Sequence, residues 1–174
     1  LFVETLGSSV SLGRGTNLSD EIVFSVEPET GRLTTGRYYW TGRIYDAYLN
    51  GQWVSTETER NPFGLGTTPP EYTWIGRREV SVEVNTRISL LRTLYYPYAP
   101  ISISRAVEAE IGPSTLEEPE ITALISDPPV RAGEVYSVRA SISTPTIVQL
   151  RNAANQIYPE WVSERYLQLP PNLP

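Results

Sequence analysis

The stretch YYWTGRIYDAYLNGQWVST, residues 38–56, decides how this chain is read. Tyr38, Trp40, Ile44 and Tyr48 fall on one side of an alternating pattern, and Tyr39, Tyr45 and Leu49 fall on the other. A period of two is the mark of a strand. Asn50-Gly51 comes next. Both residues tolerate positive φ, so the pair is a strong signal for a type I′ hairpin turn. Gln52, Trp53, Val54 and Ser55 then form the returning strand. On this reading the rings are core and cross-strand packing, at about 0.2–1 kcal/mol per pair. The competing reading is a platform on which a sugar or peptide ring stacks, which needs several rings exposed on one face.

The same period continues outward. Ile22, Phe24 and Val26 share a face in EIVFSVE, and Val80, Val82 and Val84 do so in REVSVEVN. ISISRAV offers Ile101, Ile103 and Val107, with Arg105 breaking the apolar face. ITALI offers Ile121, Ala123 and Ile125, and VYSVRASI offers Tyr136, Val138, Ala140 and Ile142. Turn signals such as EPETG, NPFG, TTPP, IGPS, SDPP and RAGE separate these runs. Short strands at that spacing predict a mainly β fold, an antiparallel β-sandwich of immunoglobulin-like or related type. NPFGLGTTPPEY and GPSTLEEPE read as exposed loops, and YYPYAP (95–100) as a bend between strands, because Pro97 and Pro100 interrupt a ladder.

One short C-terminal helix is expected in STPTIVQLRNAANQIYP, with Thr144 as cap and Pro145 at the first helical position. Ile147, Leu150 and Ala154 follow at helical spacing, and Pro159 stops continuation much beyond Ile157. The division expected is a sandwich over 1–143, then a helix and a proline-rich linker over 144–174 leading toward a catalytic domain. The absence of methionine fits a processed or excised piece.

Composition removes most chemistry. Without cysteine there is no disulfide, thiol nucleophile or thiolate metal site, and without histidine the usual neutral-pH base is missing. All 14 basic residues are arginine, so lysine Schiff-base chemistry is excluded too. A net charge of −6 disfavours nucleic acid or an anionic membrane surface as partner. The arginines are dispersed, with only Arg77 and Arg78 adjacent, and read as a solvated surface.

Carboxylates remain. Glu117, Glu118 and Glu120 cluster, as do Asp20 and Glu21, but a glycosidase needs two acids facing one another at roughly 5–10 Å. Asp46, set among rings, is the strongest single candidate, and its bland role is to accept hydrogen bonds from the turn or from an arginine such as Arg43. From Asp46 the order Asp46, Asn50, Gly51, Glu57 nearly reproduces a calcium loop, yet Tyr48 occupies a ligand position and the flanks are not helical. Asn17 lies in an NLS glycosylation pattern that is common by chance. No residue is assigned a catalytic, cofactor-binding or metal-ligating role.

The order Tyr39, Trp40, Arg43, Tyr45, Asp46, Gly51, Trp53 resembles a segment of bacterial membrane-bound transglutaminase-like proteins. LGRGTNLSDEIVFSVE upstream and ERYLQLPPNLP downstream are similar to the segments that flank it there. The resemblance implies membrane helices, then an extracytoplasmic β-sandwich, then a papain-like core with a cysteine, histidine and aspartate triad. This chain would be the sandwich, noncatalytic, located in the periplasm or on the cell surface of a membrane-anchored parent. Its partners would be that core and a cell-envelope protein or glycan. Two other functions compete. One is a carbohydrate- or peptidoglycan-binding module presenting at least two coplanar exposed rings among Tyr38, Tyr39, Trp40, Tyr45, Tyr48, Trp53 and Trp74. The other is a small carboxylate-based hydrolase.

Overall fold

The structure, a computed structural model, describes residues 7–11, 20–29, 38–56, 58–64, 76–112, 120–153, 158 and 160–167. The elements run in order β1 (Ser9–Ser11), β2 (Phe24–Pro28), β3 (Trp40–Thr41), β4 (Ala47–Leu49), β5 (Gln52–Val54) and β6 (Glu59–Phe63). There follow β7 (Arg77–Thr86), β8 (Leu90–Thr93), β9 (Tyr96–Pro97), β10 (Pro100–Ile103), β11 (Val107–Gly112), β12 (Glu120–Arg131) and β13 (Val135–Ser143). Helices α1 (Ile147–Ala153) and α2 (Glu160–Tyr166) close the described chain.

Two four-stranded antiparallel sheets, in orders β10-β13-β7-β2 and β6-β11-β12-β8, carry the body of the fold. Val80, Val82, Val84, Tyr136, Val138 and Ala140 of the first sheet join Leu91, Val107, Ala109, Ile121, Leu124 and Val130 of the second in one apolar cluster. The arrangement is sandwich-like. Alternation built it: Val82 faces Val138 and Val84 faces Tyr136 across the β7–β13 ladder, each almost wholly buried. The Tyr136 hydroxyl accepts from the Tyr95 amide at 3.0 Å and donates to its carbonyl at 2.9 Å, tying β13 to the chain between β8 and β9. Tyr136→Phe removes both bonds, and urea unfolding is expected to register about 1–3 kcal/mol of lost stability.

The aromatic hairpin forms, in a shorter version than its sequence suggests. β4 and β5 pair Ala47 with Val54, Tyr48 with Trp53 and Leu49 with Gln52. Asn50 and Gly51 turn between them at φ of 50° and 81°, as a type I′ turn requires. Nothing crowds Gly51, so its need is conformational. Gly51→Ala is expected to cost about 1–2 kcal/mol in chemical denaturation. Upstream, the pattern does not continue as one strand: β3 pairs with β9, and Arg43 bridges Ala123. Tyr38 and Trp40 pack against the core, and Trp40 meets Phe24 edge-on at 5.4 Å.

Other expectations shift with the topology. ISISRAV is two strands in different sheets, because the chain crosses from one layer to the other at Arg105. Arg105 donates to the Ser126 hydroxyl at 2.8 Å and to the Pro128 carbonyl at 3.0 Å there. ITALI is not half-exposed, since residues 121–126 are buried on both faces. Ile22 precedes its strand and is 66% exposed. Pro97 and Pro100 sit inside β9 and the edge strand β10, where the missing N–H is tolerated, with the expected bend between them. The helix begins at Ile147, two residues later than expected. Thr146 caps it, its hydroxyl accepting from the Gln149 amide while the Gln149 side chain accepts from the Thr146 amide at 2.7 Å, a capping box. A second helix, α2, starts at Glu160 directly after Pro159. Ala154, Ile157, Pro159, much of the two expected long loops and the terminal LPPNLP run lie outside the described residues.

Candidate functional site

The charged residues of the opening stretch are its most informative feature. Arg43 and Ile44 leave the ladder and lie along β12, where the Ile44 amide donates to the Thr122 carbonyl at 2.9 Å, and the Asp46 amide returns to Val54 of β5 at 3.1 Å. This seats Arg43 and Asp46 inside the protein. Arg43, its side chain 4% exposed, pairs with Glu110 of β11 at 2.5 Å. Arg60 of β6 completes that carboxylate at 2.9 Å and reaches Glu108 at 3.5 Å. Burial by itself would raise the Glu110 carboxyl; the hydrogen bonds and charge of Arg43, then of Arg60, outweigh it and hold the group below its ordinary range.

Asp46 forms a second centre. Its side chain is 3% exposed and accepts from the Thr56 amide at 2.7 Å and from the Thr56 hydroxyl. Its arginine partner is Arg165 of α2, 119 residues away, at 3.0 Å, and not Arg43. Arg165 also reaches Glu120 at 3.2 Å. Gly112 stands opposite Glu120 in the β11–β12 register, and a Cβ built there would collide with the guanidinium. Burial, followed by the neighbouring Glu120, pushes the Tyr166 hydroxyl far up, so it stays protonated.

The structure therefore does bring two acids from distant segments together, Asp46 and Glu120, both sequence candidates. A guanidinium lies between them. A hydrolase needs an open cleft with one acid able to exchange a proton with substrate, whereas this space is buried and filled. The calcium-like spacing has no loop to serve it: Asp46 is committed to Thr56 and Arg165, and β4 and β5 occupy the middle of the motif. Among the described residues no cluster of His, Cys, Asp or Glu is arranged to hold a metal ion.

Among the described residues the ring platform is not assembled either. Tyr48 and Trp53 are 41% and 40% exposed and neighbours at 5.2 Å, but their planes are inclined by 57°. Tyr38 and Trp40 turn inward, Tyr45 donates to the Gly7 carbonyl at 3.0 Å, and Tyr39 points to solvent. Trp74, Asn17, Glu57, Glu117 and Glu118 lie outside the described residues, while Asp20 and Glu21 are exposed. The arginines are less solvated than their dispersal suggests: the side chains of Arg43 and Arg165 are 4% and 11% exposed, Arg77 bonds Ser141, and Arg78 donates to the Tyr38 hydroxyl at 3.1 Å.

Sequence reasoning missed Glu110, Arg60, Thr56, Gly112 and Arg165 as members of these centres. Glu108 and Glu110 alternate with apolar residues and look solvent-facing, until the segment at Arg43 covers the end of that face. Arg165 had one signal, its place in ERY within the downstream segment of the resemblance.

The comparisons agree with that resemblance. A family model described as the TgpA N-terminal domain matches residues 3–147. No curated protein and no solved structure matches the chain.

Proposed function

The chain belongs to the TgpA N-terminal domain family, and from that premise we propose that it is the noncatalytic accessory domain of an extracytoplasmic, membrane-anchored transglutaminase-like protein. Its task is to hold the catalytic core, or the substrate of that core, in position. The family is that of an N-terminal domain and not of a catalytic core. The chain has no cysteine or histidine with which to build an acyl-transfer triad. Its best carboxylate candidates, Asp46 and Glu120, are spent on Arg165.

The observation that carries the positioning role is the seat of α2. This helix lies beyond the matched residues, and its Arg165 is bound to two acids of the β body. Chain that leads onward from the domain is thus fixed to its surface, which suits a part that orients a neighbouring domain. The test compares the parent's core with and without residues 1–174 on a glutamine-containing peptide and an amine donor. The isolated chain is expected to show no turnover, and the core without it a lower kcat/KM or a lower Tm. Turnover by the chain alone, or a core indifferent to its removal in both respects, overturns the reading.

A further inference from the structure

We propose that the β body carries a guanidinium-binding socket, walled by Asp46, Glu120 and Gly112, which Arg165 fills and so latches α2 to the sheets as a detachable strap.

The walls are selective for this cation. Arg165 Nε donates to Asp46 Oδ2 at 3.0 Å, Nη2 lies at 3.0 Å from the same oxygen, and Nη1 lies 3.2 Å from Glu120 Oε2 as an ion-pair contact. Three nitrogens of one plane are engaged at once. An ammonium is a point donor and cannot satisfy two carboxylates held on either side of a flat slot. The slot is flat because Gly112 lacks a side chain: a Cβ there would lie 2.9 Å from the guanidinium carbon.

The walls are also preformed. Glu120 and Gly112 belong to β12 and β11 and face each other in the ladder, and Thr56 fixes Asp46 through its amide and hydroxyl. None of these contacts involves α2. The strap, by contrast, cannot hold itself. It has seven residues, far fewer than an isolated helix needs in water. Ser163 and Glu164 are exposed, and Val162 and Tyr166 are half-buried. Docking of α2 therefore rests on the guanidinium, with the Tyr166 hydroxyl buried beside Glu120, whereas Thr56 and the β11–β12 ladder hold Asp46 and the backbone of Glu120 and Gly112 without it.

Chemical rescue tests this. Hydrogen exchange is followed by amide in the 174-residue chain and in Arg165→Ala, with β7 and β13 as the folded reference. Amides of α2 in the variant are expected to exchange about tenfold faster or more, with the sheets unchanged. N-ethylguanidinium at about 50 mM, suited to a millimolar site, should return most of that protection, and ethylammonium at equal concentration should not. Gly112→Ala should lose the same protection with no rescue, since the methyl occupies the slot. Unchanged α2 protection in either variant, failure of rescue in Arg165→Ala, or equal rescue by both cations overturns the proposal. Should Arg165→Ala also release the sheets, Arg165→Lys decides: its α2 amides must exchange faster than those of the wild type with the sheets unchanged, and wild-type protection overturns the socket.

Discussion

Replacing Glu110 by alanine is expected to lower the unfolding free energy by about 3–5 kcal/mol, the range found when one partner of a buried ion pair is removed. The reason is desolvation. Arg43 and Glu110 are 4% and 6% exposed, so the variant would leave the Arg43 charge inside the protein without its carboxylate. The Glu110 backbone carbonyl still accepts from Thr122 at 3.0 Å, so the loss is confined to the charge. Replacing the pair together, as in Arg43→Met with Glu110→Leu, should recover most of the loss, because two apolar groups of similar volume leave no unpaired charge. Arg60, 58% exposed on its side chain, can turn to water in that variant. Denaturant titration of the three proteins at neutral pH checks both statements.

The same pair sets a pH dependence whose sign is fixed. The folded Glu110 carboxyl lies below its ordinary value of 4.5. Its contribution is therefore fully present above the unfolded value and is lost as pH falls below about 4.5 toward the depressed folded value. Glu110→Gln should flatten the stability curve in that acid window and leave its shape near neutrality unchanged.

Leu124→Ala is expected to cost about 2–5 kcal/mol, the span for truncating a fully buried leucine. Leu124 is 0% exposed and belongs to the cluster shared by both sheets. The upper part of the range is favoured by its surroundings. The six residues 121–126 are all buried, with β11 on one flank of β12 and the Arg43–Ile44 segment on the other. A strand held on so many sides cannot collapse into the space left behind. The midpoint of urea unfolding should fall while the slope stays constant, as expected when stability alone changes.

Much of the fold was legible because half-buried strands advertise themselves. Val80, Val82 and Val84, and Tyr136, Val138 and Ala140, lie where their alternation put them. Asn50-Gly51 fixed a turn type because few residues accept positive φ. What alternation cannot state is partnership. ISISRAV keeps its period across Arg105 while the backbone changes sheet, and the pattern is blind to the change. The 38–49 run hid a similar break at Gly42, a residue buried against the sheet it joins. The candidate site was legible in half: Asp46 and Glu120 stood out as carboxylates, and Arg43 as a conspicuous cation. Their true partners, Arg165 and Glu110, lie 119 and 67 residues distant. Pairing over such separations is set by the folded topology, and a single sequence carries no local trace of it.

The crossing at Arg105 has a mechanical consequence. From β6 to β8 the backbone passes from layer to layer with every strand, and it does so again from β10 to β11 and from β12 to β13. The chain is a stitch through two cloths, so neither can be peeled away intact. Pulling out any one of these threads opens both, and the domain must come apart cooperatively.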